Sequence, residues 1–371
     1  MSDKNSLARG DAVIHPRVSI VVPVYNGAQY LAECLASIAS QTYQRWEAVV
    51  VNNCSTDGTA EIADAFARQD SRFRVIHCTE FVPKSENYNR AIDSASEGVE
   101  FIKLLEADNY LWPESLERMV GLASTEPEIG LVGSYYVYGR KILGDVIEGK
   151  RTVLAGKEVC REHLLTDTYY LGVPSAMLFR AKALSEVAPC FRPSLFFDDI
   201  ELYFRVLSKW KYAFVHQILT FVRHDNDGVF TKIRDFDFFP AHRFALAMQF
   251  GADVLRPEEL SHTREQWKRA YLRRLGRAAV AGRSKEYWEL HRGVFRLIGR
   301  ELSASDLVGP VVRTLVDMLL NPKSTVEGLS RRQHRLQQSA HSGGQKRTVA
   351  IGSADTIVAA PAGGSRLFGA D

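Results

Sequence analysis

The chain has 371 residues, enough for one large domain or two ordinary ones. Its apolar content of 46% and charged content of 25% are ordinary for a globular protein. A formal net charge of +3 is too small to imply a nucleic-acid partner, and none is expected.

The opening stretch, MSDKNSLARGDAVIHPR, is polar and lacks the apolar core of a signal peptide, so residues 1–17 read as an N-terminal arm. Val18-Ser19-Ile20-Val21-Val22 reads as a β-branched strand stopped by Pro23. Leu31, Leu35, Ile38 and Ala39 recur at helical spacing. Glu47 to Val51 reads as a second strand closed by NNCSTDG, and Ala60 to Phe66 as a helix. Phe73 to Ile76 reads as a third strand, Asn87 to Ala95 as a helix, and Phe101 to Leu105 as a fourth strand. This alternation predicts an α/β fold with a mainly parallel sheet covered by helices on both faces. Such sheets bind ligands beyond the carboxyl ends of their strands. There the loops PVYN, NNCSTDG and EADN are expected to converge.

The middle of the chain mixes short strands and loops. Ile129 to Gly133 continues into Tyr135-Tyr136-Val137-Tyr138, and Pro174 to Phe179 reads as a further strand. Phe197 to Leu207 reads as a helix with acids in its first turn, which suits the helix dipole. From about Phe239 the chain turns helical and basic, with eleven Lys and Arg between His262 and Arg300 against Glu265, Glu286 and Glu289. Those helices either present a solvated face or dock on an anionic membrane. DLVGPVVRTLVDMLL carries Arg313 and Asp317 and reads as an amphipathic helix. No uncharged apolar run reaches the ~20 residues of a membrane span. The tail after about Arg331 is rich in Gln, Ser, Gly and Ala and is expected to be disordered. Five cysteines, none spaced as CxxC, suggest reduced thiols in a cytoplasmic protein.

Three polar groups carry candidate chemistry. Glu106 and Asp108 follow a buried strand, where carboxylates either hold a hard cation such as Mg²⁺ or Mn²⁺ or cap the next helix. NNCSTDGT is either a plain turn or a cradle of amides and hydroxyls for a nucleoside. Asp198, Asp199 and Glu201 are either a solvated helix start or a source of a general base.

The order and spacing of these pieces resemble the family 2 glycosyltransferases. PVYNGAQYLAECLASIASQTYQRWEAVVVNNCSTDGT resembles their N-terminal half, with Ser37, Ile38, Gln41, Thr42, Trp46, Glu47, Ser55, Asp57, Gly58 and Thr59 at matching positions. SENYNRAIDSASEGVEFIKLLEADNYL resembles the stretch ending in the D-x-D-D metal motif. FFDDIELYFRVL resembles the segment with the catalytic acid, and LTFVRHD the closing R-H element. The resemblance runs from Val18 to Asp227. Amides at Asn52 and Asn53 replace the family's base-contacting acid, Glu106 replaces the first Asp of the metal motif, and Asn109 stands at its last position.

The resemblance implies a GT-A fold over residues 18–238, a helical extension over 239–331 and a tail over 332–371. It implies inverting transfer from a nucleotide-diphosphate sugar, uridine first with thymidine or guanosine open, to a glycan or lipid-linked acceptor. The setting would be bacterial polysaccharide or glycolipid synthesis, on the inner face of the membrane. Asp199 would be the catalytic base, with Asp198 as fallback. Asp108, Glu106 and His224 would hold Mn²⁺ or Mg²⁺. Pro23, Tyr25, Asn26, Asn52, Asn53, Asp57 and Ala107 would frame the nucleotide, with Lys84, Asn87 and Arg90 on the diphosphate side. The departures leave a second reading open, a non-catalytic sugar-nucleotide-binding protein. GxGxxG is absent after the first strand, which excludes a dinucleotide-binding dehydrogenase.

Overall fold

The structure, a computed structural model, describes residues 16–144, 151–166, 171–192, 198–223 and 236–321. His224, most of the N-terminal arm and the expected tail lie outside the described residues. The first third is β1 (Val18–Val24), α1 (Leu31–Ala39), β2 (Trp46–Asn52), α2 (Thr59–Gln69), β3 (Phe73–His77), α3 (Lys84–Asp93) and β4 (Phe101–Leu104). Next come β5 (Tyr110–Leu111), α4 (Ser115–Ala123), β6 (Ile129–Tyr138), β7 (Lys141–Leu143), β8 (Val153–Leu154), α5 (Gly156–Leu165), β9 (Leu178–Arg180), α6 (Ala181–Ser185), α7 (Asp198–Leu207) and β10 (Lys211–Val222). Five helices follow: α8 (Phe238–Gln249), α9 (Gly251–Val254), α10 (Pro257–Ala281), α11 (Lys285–Leu297) and α12 (Ala304–Leu320).

The sheet has the order β3-β2-β1-β4-β9-β6-β10-β5, with β7 added to β6 and β8 to β10. Its first half, β3-β2-β1-β4, is parallel, as the strand–helix alternation requires. Its second half is mixed: β6 and β10 are parallel, while β9, β5, β7 and β8 pair antiparallel. Every residue of β1 is buried. Successive side chains point to opposite faces, so both faces must be covered. Val18, Ile20 and Val22 pack with α1 and α4 residues such as Leu35 and Leu116, and Val21 packs with Tyr88, Phe204 and others on the opposite face.

Two local expectations are corrected. β1 does not stop at Pro23 but continues to Val24, with Pro23 opposite Val51. The Val21 carbonyl accepts from Leu105, and alternation turns Pro23 to that same side, beyond the last β1–β4 pair. A missing N–H costs no ladder bond there. The strand expected from Pro174 to Phe179 is instead a 3₁₀ turn over Pro174–Ala176 and a short strand over Leu178–Arg180.

A third apolar cluster, including Phe244, Tyr271, Leu275, Tyr287 and Phe295, joins α8, α10 and α11. It docks on α5 through the Trp267 indole, which donates to the Leu164 carbonyl at 2.8 Å, and through Arg161, whose Nε donates to Glu259 at 2.9 Å. α12 lies along α10, and a Cβ on Gly276 would come within 2.6 Å of Pro310, so glycine permits the close approach.

Candidate active site

The loops after β1 and β2 interlock at the carboxyl edge of the sheet. The amides of Asn26, Gly27 and Ala28 donate to Ser55 Oγ (2.9 Å), Thr59 Oγ1 (2.9 Å) and Asp57 Oδ2 (3.1 Å). Asn26 Oδ1 accepts from the Thr56 amide at 2.8 Å, and Asn26 itself has φ 51°, a left-handed conformation that Asn tolerates. Burial pushes the Asp57 carboxyl up, but bonds from Thr59 and from the Ala28 amide outweigh it and hold it below its usual range. Asn26 and Asp57 therefore tie two loops together. Tyr25, half-buried, meets Phe81 edge-on with ring centroids 4.9 Å apart. Pro23 is buried within β1.

The two amides at the end of β2 are committed internally. Asn53 is 2% exposed; its Nδ2 donates to the Val82 carbonyl at 2.8 Å and its Oδ1 accepts from the Val82 amide at 3.1 Å. Asn52 Nδ2 meets His77 Nδ1 at 3.1 Å, and its Oδ1 accepts from the Ser55 amide at 3.1 Å. His77 Nε2 in turn meets Asp64 at 3.0 Å. Arg90 donates to the Glu80 carbonyl at 3.2 Å. Asn87 is 4% exposed, and its Oδ1 has no hydrogen-bond partner among the described residues.

Glu106 is held on all sides. Its Oε1 accepts from the Tyr88 hydroxyl at 2.7 Å and lies 3.8 Å from Lys84 Nζ. Its Oε2 accepts from Ser175 Oγ at 3.1 Å and Asn109 Nδ2 at 3.2 Å. Ser175, fully buried, also accepts from the Glu106 amide (3.0 Å) and from Asn109 Nδ2 (2.9 Å). Arg223, at the end of β10, donates from Nε to the Asp108 carbonyl and from its amide to Asn109 Oδ1, each at 3.0 Å. It also pairs with Glu33. The turn from Glu106 to Asn109, with half-buried Ala107, is thus pinned from α3, the 3₁₀ turn and β10.

Two further carboxylates arrive on the first turn of α7. Burial, then the neighbouring Asp198 charge, pushes the Asp199 carboxyl up to about 7, with Lys84 opposing. Burial, then Glu106, pushes Asp108 up to about 6, with Lys84 and Arg223 opposing. Loss of water around the Lys84 ammonium disfavours its charge, but the fields of Glu106, Asp198, Asp199 and Asp108 together lift it above the usual lysine range. Glu106 lies 3.8 Å from Lys84, and the charges of Asp108, Asp198 and Asp199 act on the same lysine.

This donor set suits a hard divalent cation. Burial, then the Glu106 charge, disfavours the ionised Asp108 carboxyl, and a cation beside it would favour that ionised form. Among the described residues, no three His, Cys, Asp or Glu side chains form a ready-made metal cage. Glu106 already takes three hydrogen-bond donors, from Tyr88, Ser175 and Asn109.

Ser175 and Tyr88 were not legible as site residues. Ser175 sat inside a stretch read as strand, and Pro174 just before it was the only sign of a turn.

This arrangement, a parallel half-sheet whose strand ends carry interlocked loops and an acid turn, joined to a mixed half, is a GT-A-like fold. Residues 19–188 match the model for glycosyl transferase family 2. Over 126 residues it is 34% identical to the glycosyltransferase GlyG of Streptococcus pneumoniae, covering 33% of this chain and 40% of that protein. Over 114 residues it is 35% identical to the putative glycosyltransferase EpsH of Bacillus subtilis, covering 31% and 32%. The chain thus spans less than half the length of these relatives. Among solved structures it resembles a fragment of TarS from S. aureus in complex with UDP-GlcNAc, with a TM-score of 0.55, 16% identity, and 76% and 81% of the two chains covered. At that identity the likeness is one of fold.

Proposed function

We propose that the protein transfers a sugar, with inversion, from a nucleotide-diphosphate sugar to an acceptor hydroxyl. The observation that carries this reading is that the charges of Asp199 and Asp108, on separate elements, both act on Lys84. Asp199 has the properties of a general base: its pKa of about 7 lies near the working pH, where a base combines sufficient ionisation with sufficient proton affinity. It takes the proton from the acceptor hydroxyl as the oxygen attacks the anomeric carbon. The bond to the leaving diphosphate breaks in the same displacement. Lys84 lies on the side where negative charge develops. Tyr25 and Phe81 supply aromatic surface for the nucleoside, and the loops clamped by Asn26 and Asp57 frame its pocket.

Asp108 would hold the divalent metal, Mn²⁺ or Mg²⁺, with Glu106 behind it. When bound, that ion would supply positive charge for the leaving diphosphate. His224 keeps its proposed place in the ligand set from the family pattern alone. The family reading makes a UDP-sugar the first donor to test. The acceptor class is a glycan or lipid-linked sugar of bacterial polysaccharide synthesis, met on the inner face of the membrane.

Calorimetry with UDP, dTDP, GDP and CDP, each with and without Mn²⁺, tests the reading. Binding of one nucleotide that needs Mn²⁺ and is lost in Asp108→Ala supports it, and fixes the donor for a transfer assay. Binding with no transfer to any acceptor and no donor hydrolysis would favour the non-catalytic reading. That alternative draws support from Glu106 and Asn109, which stand where the family's metal motif has Asp. No binding to any of the four would remove both readings.

A further inference from the structure

α12 presents two apolar sides. Leu307, Pro310, Val311 and Thr314 are half-buried on the side that meets α10. The adjoining side carries Val308, Val312, Leu315, Val316, Leu319 and Leu320, exposed by 61%, 53%, 46%, 44%, 80% and 74%. Spacings of three and four residues put most of these six on one stripe. No residue of α12 is buried. The helix is nevertheless well formed, with Ser303 and Asp306 making a reciprocal capping box at its start. A contiguous apolar stripe of this kind marks a contact surface.

The exposed charge on the neighbouring helices bears on what the contact is. Arg273 and Arg277 lie one turn apart on α10 and flank Gly276, where α12 crosses. Arg292 and Arg296 repeat the spacing on α11. All four are exposed and make no ion pair among the described residues. A second copy of the chain on the stripe would bring like-charged arginines together. An anionic lipid surface would neutralise them while taking up the apolar side chains. The helix is about 25 Å long at 1.5 Å per residue, too short for a hydrocarbon core of about 30 Å. None of the described helices is long and apolar enough to cross a membrane. A helix of this length can lie on a bilayer but cannot span one.

We propose that α12 lies in the headgroup layer of an anionic bilayer, with the Val308–Leu320 stripe facing the acyl chains and Arg273 and Arg277 on lipid phosphates. This goes beyond the sugar-transfer reading and does not depend on it.

The test is flotation of the full chain with phosphatidylcholine vesicles, with and without phosphatidylglycerol. The protein is expected to float with the anionic vesicles and to be released as salt rises. Leu315→Asp with Leu319→Asp is expected to lower partitioning by on the order of tenfold or more. Arg273→Gln with Arg277→Gln should lower it by roughly fivefold per arginine. All four side chains are exposed, so an unchanged Tm will show that the variants fold. Equal flotation with neutral and anionic vesicles, or a leucine variant that floats like the parent, would overturn the proposal. So would a dimer in solution that the leucine variant dissociates, which would make a second copy the occupant. An inactive protein that floats leaves the proposal standing, whereas an active one that stays at the bottom of the gradient removes it.

Discussion

The Tyr88 hydroxyl donates to Glu106 Oε1 at 2.7 Å, linking the first half of α3 to the acid turn after β4. Glu106 also takes bonds from Ser175 and Asn109, so its longer arm reaches partners that fix the turn carrying Asp108. Glu106→Asp restores the acid usual in the family but shortens that arm by one methylene. We expect it to lower the transfer rate by roughly 10–100-fold, the loss of one bond to a charged group at about 1.5–3 kcal/mol. Tyr88→Phe should act in the same direction. Steady-state rates at saturating donor check this. A Glu106→Asp enzyme as fast as the parent would show that these bonds do not position the site.

Asp199→Asn should leave nucleotide binding intact and lower the rate by about 10²–10⁴-fold. Asp199 must be ionised to accept a proton, so in the parent the rate should rise with pH through about 7. The variant should lack that limb. Rate–pH profiles of both proteins decide the matter, and a limb that persists in the variant would assign it to another group.

Lys103 is fully buried in β4, and its ammonium meets Met119 Sδ at 3.6 Å, its one hydrogen-bond contact among the described residues. Burial pulls its pKa down to about 7. An unfolded lysine titrates near 10.4, so between about pH 7 and 10.4 the unfolded chain binds more protons. Stability contributed by this group therefore rises with pH across that window, and its penalty is fully present below pH 7. Lys103→Met should raise Tm by on the order of several degrees at pH 6. The gain should shrink toward pH 10. A gain that does not change with pH would mean that Lys103 is not the titrating group.

Asn53 donates to and accepts from the Val82 backbone in a site 2% exposed. Asn53→Asp keeps the acceptor, loses the donor and buries a charge. It should destabilise the fold by about 1–3 kcal/mol. Urea unfolding measures this, and a midpoint equal to the parent's would show that the loop before α3 does not need the clamp.

Much of this architecture was legible in the order of residues. The β-branched runs of β1 and β2 and the apolar run of β4 report burial on both faces. The turn-forming clusters after them mark the edge where a site must form, and the spacing of acids marks which loops carry charge. Local pattern suffices there because strand and helix periodicity are properties of neighbouring residues. It did not reveal which polar groups are spent. Asn52, Asn53 and Glu106 look like ligand contacts in a one-dimensional reading. Their partners, His77, Val82, Tyr88 and Ser175, lie between 18 and 69 residues away and meet them only when the sheet forms. The pKa values of Asp108 and Asp199 likewise depend on burial and on Lys84 and Glu106, which reach them from separate elements. The apolar stripe of α12 was visible as amphipathic periodicity. Only the packing against α10 decided which side of the helix is covered and which is left bare, because burial depends on distant neighbours and periodicity does not.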